Sequence, residues 1–396
     1  MIKVSFLGDI MCEPLLLKAA KRGDSYDFSG MFSYVKELIA QSDYVVGNLE
    51  TPLAGKKAGI VNELFSFNAP DEFAKAVKEA GVDFVSTANN HCMDRGLDGL
   101  KRTVKVLDDI GLSHDGTHAE CDKNEPFIAD VKGLKLAVIP ATYGTNYGVH
   151  HRELSDKRYV DLLHSDTEPV YIRKKKGKKN IIKKIMLKPF KEEQIAAIKK
   201  KLGLTYNSPR KDDFIDEKTA QPFFARLESK VVSAKKEADL VVFYPHVGGQ
   251  FNLEPGIFTR YTVDKALEYG VDAVIASHPH IIQKTEIKNN IPIFYSIGNF
   301  SMSPNSVYLL YENLPEFGLI VHLYIEDKKI VKTTFSIIKI IETKREMMKV
   351  YPINVLWDKL DDNGKKELKK QVAQICSVVY GRECSNIDVQ AEYDLL

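Results

Sequence analysis

Five short apolar runs in the sequence each end in residues able to bind a cation or move a proton. The first closes on Gly8-Asp9, the second on Gly47-Asn48-Leu49-Glu50 and the third on Ala88-Asn89-Asn90-His91-Cys92-Met93-Asp94. The fourth closes on Tyr244-Pro245-His246 and the fifth on Ser277-His278-Pro279-His280. Carboxylate, amide oxygen and several imidazoles make a donor set suited to zinc, manganese or iron, whereas an all-oxygen set would suit magnesium or calcium. Taken singly, each has an ordinary structural use. An Asp after a strand is most often a turn or cap residue, and a lone His such as His246 most often a satisfied core residue. His278 and His280 are harder to set aside, because alternate side chains of an extended segment share a face and both rings can reach one centre. Together, in this order, the five runs point to a metal site.

The elements that must position these residues follow from the patterning. Strands are expected over 3–7, 44–47, 84–87, 134–139, 240–244, 271–276 and 292–296, with amphipathic helices over 70–80, 97–110 and 263–269. A hairpin is expected over 318–341, turning at Glu326-Asp327-Lys328. Strands that alternate with helices predict an α/β fold, and in a sheet whose strands run the same way the C-terminal ends collect along one edge. The five chemical endings would then share one rim.

At 396 residues the chain has room for two or three domains, and its 44% hydrophobic content excludes wholesale disorder. A net charge of +2 gives no general pull toward nucleic acid or membrane. Five cysteines without a C-x-x-C pair exclude a disulfide scaffold. No apolar stretch reaches the length of a membrane span, and Met1-Ile2-Lys3-Val4-Ser5-Phe6-Leu7 reads as a core strand rather than a signal peptide. A cytoplasmic protein is the expectation, with an extracytoplasmic one the alternative if an anchor has been removed. Between Arg173 and Lys201 stand thirteen Lys and Arg against two acids. This run is either a solvated insertion or an electropositive lid over an anionic substrate; its few aromatics argue against nucleic acid. The organisation expected is a core of residues 1–145 and 237–344, a basic helical insertion at 146–236 and a helical C-terminal appendage at 345–396.

The ordered endings resemble the CapA, or poly-γ-glutamate capsule biosynthesis, family, a relative of the calcineurin-like metallophosphoesterases. Carrying the resemblance are Gly8-Asp9-Ile10-Met11, Gly47-Asn48-Leu49-Glu50-Thr51-Pro52-Leu53, the stretch from Asn89 to Gly99, Ser277-His278-Pro279-His280-Ile281-Ile282-Gln283 and Phe294-Tyr295-Ser296-Ile297-Gly298-Asn299-Phe300. The resemblance implies a four-layer α-β-β-α sandwich with one or two divalent ions, Mn, Zn or Fe, at the strand ends. Asp9 and His280 would hold one ion, and Asn90, His246 and His278 the other. The bridging ligand would be Asn48, where phosphoesterases carry an Asp, or the nearby Glu50. His91 would be the acid/base group, oriented by Asp94, and Asn89 and Asn299 would bind substrate. Met11 stands where phosphoesterases have an imidazole, and a thioether is a poor ligand for such metals. Two functions follow. One is metal-assisted hydrolysis of a phosphoester or γ-glutamyl amide in an anionic small molecule or polymer. The other is a non-catalytic capsule-assembly protein that binds an anionic polymer or partner.

Overall fold

The computed structural model describes residues 1–59, 66–121, 124–165, 212–306, 313–342 and 347–395. Along the chain the strands begin with β1 (Ile2–Ile10), a small hairpin of β2 (Lys21–Arg22) and β3 (Ser25–Tyr26), β4 (Tyr44–Leu49), β5 (Phe84–Ser86) and β6 (Ser113–Asp115). There follow β7 (Phe127–Val131), β8 (Leu134–Thr142), β9 (Leu240–His246), β10 (Ala273–Ile275), β11 (Thr285–Lys288) and β12 (Ile291–Phe294). The last are β13 (Asn299–Ser301), β14 (Phe317–Glu326), β15 (Lys329–Ile341), β16 (Lys349–Pro352) and β17 (Tyr393–Asp394).

Two large sheets result. One has the order β16-β15-β14-β1-β4-β5-β6, with β13 also on β1 and β17 on β15; the other runs β11-β12-β10-β9-β8-β7. Within the first, β1, β4, β5 and β6 are parallel. Within the second, β8, β9, β10 and β12 are parallel. Parallel strands are covered on both faces and so read as continuous apolar runs, as Leu240-Val241-Val242-Phe243 does. Alternate residues then part company. Phe6, Val46 and Phe84 from one sheet meet Leu136, Val138 and Val242 from the other in a shared core. Leu7, Val45 and Val85 face the opposite way, toward the helices Asp71–Glu79 and Gly96–Ile110. Ala137, Ile139, Val241 and Phe243 face the helices Glu217–Glu237 and Ile257–Tyr269. The fold is mixed α/β.

The hairpin turns where expected. Glu326 pairs with Lys329, and Asp327 and Lys328 take φ of 48° and 61°, the two left-handed residues that a tight hairpin turn needs. Two regions differ from expectation. Residues 345–396 do supply a helix, Asp362–Tyr380, whose Leu368, Val372 and Ile375 enter the shared core. They also supply β16 and β17, strands too short for periodicity to reveal. Within 146–236, the stretch Glu217–Glu237 packs Ala220, Phe224, Leu227, Val231 and Ala234 onto the second sheet, so it is built as part of that sheet's covering. The basic run Arg173–Lys201 lies outside the described residues.

One irregularity bears on the site. The β1 register against β4 shifts between Phe6 and Asp9, a bulge of the kind that re-aims a side chain. Gly8 permits it: a Cβ there would collide with the Gly298 carbonyl, to which the Asp9 N–H donates at 3.1 Å.

Candidate metal centre

Strand ends bring the polar residues together. Asp9 lies near the end of β1, Asn48 near that of β4 with Glu50 just beyond, and Asn89 to Asp94 follow β5. His246 closes β9, His278 and His280 follow β10, and Asn299 opens β13 opposite Asp9. All of them are buried.

At the middle sits Glu50, 0% exposed, with neither carboxylate oxygen receiving a hydrogen bond. Its Oε1 is instead faced by three imidazoles: His246 Nε2 at 3.3 Å, His91 Nε2 at 3.8 Å and His280 Nε2 at 3.8 Å. Two groups of donor atoms share it. Glu50, His246 and His278 form one and Asp9, Glu50 and His280 the other, each with its ligand atoms within 4.8 Å of one another.

Around Glu50 the side chains hold one another. The Asn48 amide donates to Asp9 Oδ1 at 2.7 Å and lies 3.0 Å from His246 Nδ1. His246 Nε2 is 2.7 Å from Asn90 Oδ1 and 3.0 Å from His278 Nδ1. His280 Nδ1 is 2.9 Å from Asn299 Oδ1 and 3.3 Å from Asp9 Oδ2, which also accepts from the His278 main-chain N–H at 3.2 Å. Ligands about 2.1 Å from one ion and at right angles to each other lie about 3.0 Å apart. These spacings, and a buried carboxylate without a donor, fit a divalent cation. Met11, also buried, donates its main-chain N–H to Ser301 O at 2.9 Å.

The electrostatics agree. Burial alone would raise the Asp9 carboxyl, but hydrogen bonds and charge from His246 and His280 hold it well below the usual carboxylate range. Burial alone would lower His246, but Glu50 and Asp9 lift it to about 9. His280 is raised for the same reasons. The site is an excess of negative charge that draws protons onto His246 and His280.

The His278-x-His280 pair converges, though not by strand alternation. His278 has φ 106° and His280 φ 58°, both left-handed, so two turns of backbone rather than one extended face aim the rings. Such conformations are costly for residues with a Cβ and concentrate at functional sites.

His91 is aimed from behind. Its Nδ1 lies 2.8 Å from Asp94 Oδ2, an oxygen fixed in turn by the Phe67 main-chain N–H at 2.6 Å. The partner on Nδ1 leaves Nε2 for the site. Asn89 acts within the wall, accepting the His91 N–H at 3.1 Å and donating to Leu49 O at 2.8 Å.

Two participants escaped the sequence reading. Tyr143 follows the end of β8; its ring lies 4.6 Å from that of His278, and its hydroxyl bonds to the Asn90 side chain. Burial, then the Glu50 charge, pushes that hydroxyl's pKa up. It stands directly after β8, which runs three residues past the expected strand end at 139. Ser277, its Oγ 3.2 Å from His246 Nδ1, opens a motif already marked. A second cluster, Asp115, His118 and Asp161, also has the proximity of metal ligands. There the Lys230 ammonium stands between the acids, 2.7 Å from Asp115 Oδ2 and 2.6 Å from Asp161 Oδ2.

The family model described as bacterial capsule synthesis protein PGA_cap matches residues 3–303, from β1 through the whole rim to β13. The chain belongs to that family. Similar PGA_cap relatives include the PGA biosynthesis protein CapA of Bacillus subtilis, 24% identical over 305 residues that cover 76% of this chain and 63% of the relative. The capsule biosynthesis protein CapA of Bacillus anthracis is 24% identical over 303 residues, 76% of this chain and 59% of the relative. The chain thus spans about six tenths of the length of these two relatives. Among solved structures, a 5'-nucleotidase from Candida albicans overlaps 94% of this chain and 57% of its own at 10% identity, with a TM-score of 0.38, too low to bear on function. No helix among the described residues is long and apolar enough to cross a membrane.

Proposed function

We propose that this PGA_cap chain is a metal-dependent hydrolase that cleaves a phosphoester or γ-glutamyl amide in an anionic polymer or small molecule. The two-sheet core is read as the four-layer metallophosphoesterase-like sandwich, with the site at its strand ends. The observation that carries the reading is Glu50, a buried carboxylate with no well-formed hydrogen bond and three imidazoles turned toward it. In this reading Glu50, Asn90, His246 and His278 hold one ion, and Glu50, Asp9 and His280 hold a second. Bound there, a divalent ion supplies a more acidic water and neutralises charge on a phosphoryl or carbonyl oxygen. The chain's own residues do the rest. Asp94 holds the His91 Nδ1–H, and a His91 protonated on both nitrogens gives its Nε2 proton to the departing group, leaving the neutral Nδ1–H ring. Asn299 orients His280, and Asn48 keeps Asp9 turned toward the centre. The buried rim limits water around these groups.

A second reading, a non-catalytic polymer-binding protein, is favoured by Asn48, whose neutral amide stands where phosphoesterases place a bridging carboxylate. Elemental analysis of purified protein, then assay of phosphoesters and γ-glutamyl amides with Mn²⁺ or Zn²⁺ added, separates the two. Metal with turnover supports the first, and metal or polymer binding without any turnover the second. The ligand count predicts one tightly held ion and a weaker second.

A further inference from the structure

The segment after β8 starts at the site and comes back to the residue behind His91. Tyr143 touches His278 and Asn90, and nine residues later Arg152 reaches the main chain of Asp94, the residue that orients His91. The return is built. His150 Nε2 lies 2.6 Å from Thr145 O, its Nδ1 accepts the Arg152 main-chain N–H at 2.9 Å, and burial keeps its ring neutral by lowering its pKa. Left-handed residues bracket the turn, Asn146 at φ 59° and His151 at φ 54°.

The Arg152 guanidinium carries five N–H donors. Among the described residues its side chain makes one hydrogen bond, Nη1 to Asp94 O at 2.7 Å, and has no carboxylate partner. An arginine that is half-buried, held at its backbone and at one nitrogen, and left with four donors unused by the described residues presents a fork suited to carboxylate or phosphate. We propose that Arg152 binds an anionic group, carboxylate or phosphate, on the fragment of the substrate that departs beside His91. That the fragment departs rests on the hydrolase reading; the binding of the anion does not.

The test is binding of a fluorescein-labelled γ-linked hexaglutamate, with the neutral γ-linked hexaglutamine as control and tripolyphosphate as competitor. Wild type, Arg152→Gln and Arg152→Lys are compared by anisotropy at physiological salt, with metal content measured on each. The expected result is hexaglutamate binding weakened about tenfold in Arg152→Gln, with hexaglutamine binding and metal content unchanged. Arg152→Lys, which keeps the charge but loses the fork, should fall between. Displacement by tripolyphosphate in wild type but not in Arg152→Gln would extend the site to phosphate, and no displacement would restrict it to carboxylate. Equal weakening for both peptides, loss of metal in Arg152→Gln, or no binding of either anion by wild type overturns the proposal. Anion binding that depends on Arg152 in a protein that hydrolyses nothing overturns the hydrolase reading alone.

Discussion

Two buried clusters in this molecule are made of the same materials and have opposite electrostatic solutions. At the rim, Asp9, Glu50 and three histidines crowd together, and Glu50 receives no hydrogen bond. Below the end of β6, Asp115, Asp161 and His118 crowd as closely, but Lys230 inserts its ammonium between the acids. Arg226 adds a second cation 3.4 Å from Asp161. Coulomb attraction from Lys230 overrides the burial that would raise Asp161 and holds its carboxyl far below the ordinary range. Proximity of acids and histidines therefore does not by itself mark a metal site. What separates the two is whether the fold supplies the positive charge. Where it does, the cluster is a clamp that ties the helix Glu217–Glu237 to β6 and to residue 161; where it does not, the charge must come from outside.

The comparison breaks most decisively at Glu50. Glu50→Gln should abolish turnover and lower bound metal to a small fraction of the wild-type content, read by elemental analysis and by assay on the same sample. Retained metal would mean that Glu50 is not the shared ligand. His91→Ala should cost about 10²–10⁴-fold in kcat, the usual contribution of a general acid, with metal content unchanged. Equal loss of metal and activity would make His91 a ligand instead.

The second cluster should respond in stability, not activity. Lys230→Ala takes the shared ammonium from two buried carboxylates, leaving Asp161 to Arg226 and His118, and should destabilise by about 3–5 kcal/mol, seen as a lower urea midpoint. The vacated place then resembles the rim, so added Zn²⁺ should restore part of that loss in the variant and none in wild type. A variant as stable as wild type would show that the clamp contributes nothing.

Acid gives the smallest effect and a clean contrast between two buried histidines. His322, between Ser5 and Ser336 in the first sheet, is pushed down to about 3 by burial and by Lys3. The unfolded chain therefore takes up the proton first, and stability falls as pH drops from about 6.5 toward 3, by about 2 kcal/mol at pH 5. Urea midpoints at pH 7 and 5, flatter in His322→Gln, check this. His246 moves the other way, so metal must displace a proton from it, and metal affinity should weaken steadily as pH falls from about 9. Affinity independent of pH would place His246 outside the ligand set.

Much of the rim was legible because its polar side chains closely follow apolar runs, and parallel strands deliver such positions to one edge. That logic found Asp9, Asn48, Glu50, Asn90, His91 and His246. It reached His278 and His280 for the wrong reason, since their left-handed backbone is not written in a four-residue motif. Tyr143 was missed because β8 continues to Thr142, three residues past the strand end expected from the sequence. The clamp was invisible: Lys230 lies 115 residues from Asp115 and 69 from Asp161, and no local period encodes such a pairing. The short strands β16 and β17 were missed for the same reason, their places being set by the edges they join.

Glu50 belongs to both groups of donors at the rim. If two ions bind there as proposed, one carboxylate serving both would make them thermodynamically linked. In the metal-binding reading, an ion held by His246 and His278 would withdraw charge from the place beside Asp9 and His280 and would order the side chain both need. Whichever of these effects prevails, the change in affinity is reciprocal: the first ion alters the second's binding by the factor with which the second alters the first's. A titration of this protein should therefore not resolve into two independent isotherms, and its cooperativity, positive or negative, is a property of a single side chain.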